Sequence, residues 1–358
     1  MWPSAGNGPK KIWDDNLSGV RDITLPDGSV VDAAQAKYTV DKNGVYNFSV
    51  RDYCGNVLTY PVEVRNIDRL APAADYEVMP GDWTNKPVTI RVTAADPEPE
   101  DGYAPSGVKS ITMPDGTVVE GGTVDFVADA NGKYDFIITD NGGNTFTLHT
   151  EVSNIDYVAP EAEYSVTPDI WTNGPAAIHV TATDPEPEDG YAPSGVKSIT
   201  LPDGTVVDGD AADFTVSANG TYDFIITDNG GNTATLHAEV GNVDTARPAV
   251  DFHFEPLDGG DRTIITEYGK TEYYNYDLLL NASAGDVGSG IDRYEYKAGD
   301  GEWTVFDPAD APKFMEEQIT SIVVRVWDVA GNVSEEKARD IVLDKTPPTA
   351  SHTLTPGK

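Results

Sequence analysis

The sequence predicts an all-β chain of β-sandwich modules in tandem. Three observations predict it. A long stretch repeats at fixed spacing, apolar residues within the repeat alternate with period two, and Gly, Pro and Asn turn signals break the alternation about every 8–12 residues.

The repeat comes first. Residues 69–156 and 157–244 align without a gap, and about 62 of the 88 positions are identical. The segment DPEPEDGYAPSGVKSIT runs from Asp96 and again from Asp184, and YDFIITDNGGNT from Tyr134 and again from Tyr222. The same spacing reaches back to the start. Val20, Asp27, Gly44, Tyr46, Phe48, Asp52, Gly55, Asn56 and Asp68 stand 88 residues before their counterparts Val108, Asp115, Gly132, Tyr134, Phe136, Asp140, Gly143, Asn144 and Asp156. A copy over residues 1–68 is therefore expected to lack its opening strand, or to carry unrelated sequence in Met1 to Lys11. A divergent copy covers residues 245–344. Its DVAGN at Asp328 matches DNGGN, and Asp344 follows Asp328 by 16 residues, the interval from Asp140 to Asp156. Lys345 onward mirrors Tyr157 onward, so residues 345–358 read as the start of a further copy. Both ends suggest a segment of a longer array.

Within one repeat the elements are strands. Val88 to Thr93 alternates with period two. Gly107 to Met113 is a second strand, stopped by Pro114-Asp115-Gly116, where Pro presets φ and Gly accepts positive φ. Val124 to Val127 is a third. Asn131-Gly132 turns tightly into Tyr134 to Thr139, and Thr145 to Val152 closes the repeat. With Ala74 to Val78 leading, six or seven strands fill each copy.

Composition narrows the partners. Asp and Glu number 60 against 24 Lys and Arg, a formal net charge of −36. Such a chain is repelled by nucleic acid, and its self-repulsion opposes compaction unless cations offset it. No stretch approaches the roughly 20 apolar residues of a membrane helix, so no membrane insertion is expected. Met1-Trp2-Pro3 lacks the basic and apolar regions of a secretory signal. A single cysteine, Cys54, allows no internal disulfide.

The order WTN-x-P, SGVKSI, PDGT, NG-x-YDF, DNGGN and a closing NID…P resembles the bacterial immunoglobulin-like surface repeat of Gram-positive adhesins and cell-wall or surface-layer proteins. The resemblance covers Ala71 to Asp244 well and the first copy in part. The fourth copy lacks WTN and PDGT and has 12 extra residues before its DxxGN; VRVWDVAGNVS there resembles a sister group of bacterial sandwich modules. The resemblance implies tandem immunoglobulin-like β-sandwiches in an elongated rod, a stalk or adhesive role, and an extracellular place on the bacterial surface. Four modules of about 35 Å each would span on the order of 130 Å.

In such a topology one end of the module gathers the incoming linker, the loop after the second strand and the last hairpin. That gathering predicts acidic clusters: Asp68, Asp96, Asp101, Asp140 and Asn144 in the second copy, and Asp156, Asp184, Asp189, Asp228 and Asn232 in the third. Glu98, Glu100, Glu186 and Glu188 lie in the same loops. Clustered carboxylates on loops suit Ca²⁺, which takes six to eight oxygens in loose geometry. Calcium between linker and loops would fix the angle between neighbouring modules. A second reading stands beside it: the aspartate of DxxGN accepts from backbone N–H groups as hairpin chemistry, and the PEPEDG loop is a solvated acidic surface. The first copy has only Asp14-Asp15-Asn16 in place of that loop, and the fourth has Asp286 without a run of acids, so both predict weaker sites.

Other chemistry is sparser. Trp83 and Trp171 read as sandwich-edge packing. The fourth copy is rich in aromatics, and Tyr294, Tyr296 and Trp303 are candidates for a platform that stacks on host glycan or contacts host protein. Lys109 and Lys197 are the corresponding lysines of copies two and three, on a strand that alternation leaves half exposed, which argues against a Lys–Asn cross-link. His149, His179, His237, His253 and His352 show no metal or catalytic spacing, and no nucleophile elbow or phosphate loop is present. No enzyme activity is expected. The function classes left are a stalk, an adhesive module, and an accessory region of a secreted polysaccharide-degrading enzyme.

Overall fold

The computed structural model describes residues 18–100, 102–258, 266–268 and 271–354. Among these the regular elements are strands and one 3₁₀ turn at Pro308–Asp310, and no helix is long and apolar enough to cross a membrane. By contacts the chain divides into two compact units, Met1–Tyr157 with Glu186–Ser194, and Val158–Pro185 with Gly195–Lys358. Asp101 and the stretch Asp14-Asp15-Asn16, named above, lie outside the described residues.

In the first unit, β1 (Val20–Thr24), β2 (Val30–Val31), β3 (Gly44–Asp52) and β4 (Val57–Val64) form one antiparallel sheet, order β2-β1-β3-β4. The second copy follows with β5 (Ala73–Met79), β6 (Val88–Ala95), β7 (Val108–Thr112), β8 (Val118–Glu120), β9 (Thr123–Ala128), β10 (Gly132–Asp140) and β11 (Thr145–Val152). They make a three-stranded sheet, β5-β6-β9, and a four-stranded one, β11-β10-β7-β8. The inward residues of both meet in one core of Val88, Ile90, Val92, Ile111, Phe136 and Ile138, each at most 1% exposed. Each such burial contributes about 1.5–3 kcal/mol. Alternation is what makes the core: along β6 the inward Val88, Ile90 and Val92 are buried while the outward Arg91 and Thr93 are exposed.

In the second unit the third copy repeats this plan with β12 (Glu161–Thr167), β13 (Ala176–Thr183), β14 (Val196–Thr200), β15 (Val206–Asp208), β16 (Ala211–Val216), β17 (Gly220–Asp228) and β18 (Thr233–Val240), in sheets β12-β13-β16 and β15-β14-β17-β18. The fourth copy has β19 (Ala249–Pro256), β20 (Thr266–Tyr268), β21 (Thr271–Tyr274), β22 (Leu278–Gly285), β23 (Ile291–Ala298), β24 (Thr304–Phe306), β25 (Lys313–Phe314), β26 (Gln318–Asp328) and β27 (Lys337–Leu343). Its second sheet is enlarged to six strands, β20-β21-β27-β26-β23-β24, because β21 adds in parallel to β27. Glu272 on β21 is 4% exposed and is compensated by an ion pair with Arg339 and a hydrogen bond from the Tyr274 hydroxyl. Burial, with Glu272 beside it, pushes the Tyr274 hydroxyl pKa far up.

Two local devices recur. The hydroxyls of Tyr46, Tyr134 and Tyr222 each donate to the carbonyl four residues back, at 2.7 Å, which is the tyrosine corner of immunoglobulin-like sandwiches. The side chains of Asn43, Asn131 and Asn219 accept from the backbone N–H, and donate to the carbonyl, of Ile67, Ile155 and Val243 respectively, at 2.7–3.0 Å. Each of those residues immediately precedes a linker aspartate. The asparagine therefore sets where Asp68, Asp156 and Asp244 enter.

Candidate metal centre

In the first unit, one carboxylate oxygen from each of Asp68, Asp96 and Asp140 lies within 4.8 Å of the other two. Three elements deliver them. Asp140 ends β10 and is fully buried; its Oδ1 accepts from Asn144 N at 2.8 Å and its Oδ2 from Asn144 Nδ2 at 2.7 Å. Gly143 turns that hairpin at φ +90°. Asn144 Nδ2 also donates to the Asp68 carbonyl at 3.3 Å, tying hairpin to linker. Asp68 Oδ1 accepts from Leu70 N at 3.0 Å and Oδ2 from Ser106 N at 2.7 Å. Asp96 follows β6 and accepts at Oδ2 from Gly107 N at 2.6 Å and Ser106 Oγ at 3.2 Å. Its Oδ1 is buried with no hydrogen-bond partner.

The electrostatics follow from this crowding. Burial, then the charges of Asp68 and Asp140, raise the Asp96 pKa, against the hydrogen bonds from Gly107 and Ser106. Burial acts the same way on Asp68, but the Ser106 and Leu70 N–H groups outweigh it and hold its carboxyl below the usual range. Like charges at this spacing repel by on the order of 3 kcal/mol per pair at an effective dielectric of 20. A cation removes that penalty. Two oxygens on one Ca²⁺ at about 2.4 Å can stand at most about 4.8 Å apart. Oxygens no more than 4.8 Å apart are therefore compatible with shared coordination, and Asp96 Oδ1 has lone pairs that no hydrogen bond uses. An all-oxygen donor set fits a hard cation rather than Zn²⁺ or Cu²⁺.

The second unit contains the same arrangement where the sequence predicted a weaker one. Asp244, Asp286 and Asp328 bring carboxylate oxygens within 4.8 Å of one another. Asp328 accepts from Asn332 N at 2.7 Å and Nδ2 at 2.8 Å, and Asn332 Nδ2 donates to the Asp244 carbonyl at 2.8 Å. Asp244 accepts from Ala246 N at 3.0 Å and Ser289 N at 2.7 Å. Asp286 Oδ2 accepts from Gly288 N at 3.0 Å and Gly290 N at 2.8 Å, while its Oδ1 is buried with no hydrogen-bond partner. At Gly288 an added Cβ would stand 2.3 Å from Asp244 Oδ2, so any larger residue has to displace that carboxylate. The missed signal was Ser289-Gly290, which matches Ser106-Gly107 and marks the partner of the linker aspartate.

The remaining predicted ligands fall as follows. Asp156, in the first unit, is buried and accepts from Ser194 N at 2.8 Å. In the second unit Asp184 accepts from Gly195 N at 2.6 Å, and its carboxylate approaches that of Asp228 within 4.8 Å. Asp228 accepts from Gly231 N, Asn232 N and Asn232 Nδ2 at 2.6–2.8 Å. Asp189 goes elsewhere. Its carboxylate accepts from Asn131 Nδ2 at 3.0 Å and Tyr191 N at 2.9 Å, because the loop folds back onto the Asn131 turn. Glu98, Glu100, Glu186 and Glu188 are exposed. Asp52 makes the same hairpin bonds to Asn56. The hairpin chemistry of DxxGN is thus present in all four copies, and the carboxylates have further lone pairs beyond it.

The aromatic platform of the fourth copy is corrected. Tyr294 and Tyr296 pack against the core, with ring centroids 5.7 Å from Phe306, whereas Trp303 lies against Arg325 with its centroid 3.8 Å from the guanidinium carbon. Alternation along β23 gives the two tyrosines to the core, so the three rings form no shared surface. Trp83 and Trp171 are half-buried. Lys109, Lys197 and Cys54 are exposed. His149, His179, His237 and His253 each pair with an Asp or Glu at 2.6–2.9 Å on exposed strand faces.

No family model matches the chain, and neither does any curated protein. Among solved structures, fibronectin(III)-like modules of CbhA from Clostridium thermocellum align at 16% identity and TM-score 0.26, over 54% of this chain and 100% of that one. A bacterial 1.5-MDa ice-binding adhesin, described for host cell surface retention, aligns at 15% identity and TM-score 0.40, over 77% of this chain and 100% of that one. The Bacteroides ovatus protein SGBP-B, in complex with a mixed-linkage heptasaccharide, aligns at 12% identity and TM-score 0.17, over 82% and 80%.

Proposed function

We propose that this chain is a stalk segment of a bacterial cell-surface adhesin, in which calcium bound between linker and loops stiffens successive modules. The observation that carries this reading is the repetition of one wiring in two sequences that differ. Asp68, Asp96 and Asp140 recur as Asp244, Asp286 and Asp328, each set with a buried, unpartnered oxygen on its middle carboxylate. The fourth copy differs from the second over most of its length, yet its three converging acids and their Asn and Ser partners are wired alike. Near-identical neighbouring modules favour a spacer, since repetition adds length with little new recognition. The reading gives the segment no catalytic step and places it outside the cell.

Calorimetry and thermal melts with CaCl₂, MgCl₂ and EDTA test it. Calcium at 100 times its dissociation constant should stabilise each occupied site by about 2.7 kcal/mol. Asp96→Asn and Asp286→Asn should each remove one binding event. An absence of heat together with unchanged melting would sink the calcium reading, and small-angle scattering unaffected by calcium would sink the stiffening.

A further inference from the structure

We propose that the outer face of the six-stranded sheet of the fourth module binds an anionic polysaccharide, through Lys297 and the terminal nitrogens of Arg325, flanked by Arg293. The proposal stands apart from the calcium reading and shares no residue with it.

The face is built by register. Glu295 lies opposite Arg325, Arg293 opposite Trp327 and Lys297 opposite Val323 across β23 and β26, so the three cations share one side of the sheet with Glu295 among them. Glu295 is 7% exposed and accepts from Arg293 Nε at 3.0 Å, Arg325 Nε at 2.7 Å and Trp327 Nε1 at 2.9 Å. Burial alone would raise its pKa, but these donors outweigh burial and hold it ionised below the usual glutamate range. One anion thus anchors two guanidinium groups by their inner nitrogens. Asp292 takes Arg293 Nη1 at 2.6 Å. Among the described residues, Lys297 forms no ion pair and the terminal nitrogens of Arg325 donate to no protein group. In a chain of net charge −36, this face gathers three cations around Glu295 and leaves donors unspent.

The indoles decide the ligand class. Arg325 lies 3.8 Å from the Trp303 centroid and Lys297 5.1 Å, while Arg293 lies 4.5 Å from that of Trp327. Cations already occupy the rings, which works against stacking of a neutral sugar and holds the Arg side chains ready to donate. A guanidinium edge matches a carboxylate or sulfate in a bidentate pair. Arg293 and Lys297 are four residues apart on one strand, about 13 Å, so a polymer with repeated charges can meet both ends of the strip.

The full chain, immobilised, should be tested against polygalacturonate, dextran sulfate, neutral dextran and poly-glutamate at rising NaCl. Binding of polygalacturonate, dextran sulfate or both, but not of dextran, is expected; the two arms tell a uronate from a sulfated ligand. Lys297→Gln and Arg325→Gln should each weaken binding roughly tenfold. Lys297 makes no hydrogen bond to Glu295, so its variant should melt like the parent and keeps the test valid if Arg325→Gln loosens the fold. Retention of neutral dextran as strong as of the polyanions, retention of poly-glutamate alone, no retention of any polyanion, or unchanged binding by Lys297→Gln would each overturn the proposal.

Discussion

Asp140, Asp228 and Asp328 each spend oxygen lone pairs on their own hairpin and still face further carboxylates. The sequence offered hairpin chemistry and metal ligation as rivals, yet a carboxylate has enough acceptor sites for both. What no residue pattern could supply was which oxygens stay unpartnered: Asp96 Oδ1 and Asp286 Oδ1, because the loop N–H groups of Gly107 and of Gly288 and Gly290 all go to the Oδ2 atoms. Gly288→Ala should crowd the Asp244 carboxylate, lower stability by about 1–3 kcal/mol and blunt the response to calcium, as read by melting with and without EDTA. Glu295 offers a pH test. Its folded pKa lies below the ordinary 4.5, so its contribution is present above that value and is lost as pH falls through the folded value. Acid titration of Glu295→Gln should lack that loss, and at neutral pH the variant should be less stable by about 2 kcal/mol, measured by urea unfolding.

At the scale of elements, the strands were legible because inward and outward residues alternate in β6 and β10, and because Pro-Asp-Gly stops β7 where its aspartate accepts from Thr117 N. The seven-strand count of the second and third copies follows from that punctuation. The parallel pairing of β21 with β27 was not legible, since its register depends on a distant strand and on Glu272 meeting Arg339. The corner tyrosines belong to this scale, as they fix the turn into the long strand. Tyr222→Phe removes the 2.7 Å bond to the Ala218 carbonyl while keeping the ring. It should cost about 1 kcal/mol, seen as a lower urea midpoint with unchanged slope.

For the whole molecule the dominant quantity is the net charge of −36. Screening at 0.1 M salt confines charge effects to about 10 Å, so NaCl should raise the melting temperature by relieving repulsion between acids. Calcium at equal ionic strength should raise it further, and an Asp96→Asn, Asp286→Asn double variant should keep the NaCl response while losing the calcium increment. An equal gain from NaCl and CaCl₂ in the parent would assign the effect to screening alone.

By itself the sequence determined the repeat, the strand pattern and the sandwich class, because side-chain alternation and turn chemistry are local and repeat every 88 residues. It also named Asp68, Asp96 and Asp140 through the order of linker, loop and hairpin. Only the tertiary structure decided that Asp189 turns to Asn131, that Asp244, Asp286 and Asp328 complete a triad without an acidic run, and that Tyr294 and Tyr296 face the core away from Trp303. The physical reason is common to all three. Which groups meet across strands and loops is set by register and close packing between residues far apart in the chain, and composition alone does not encode that distance.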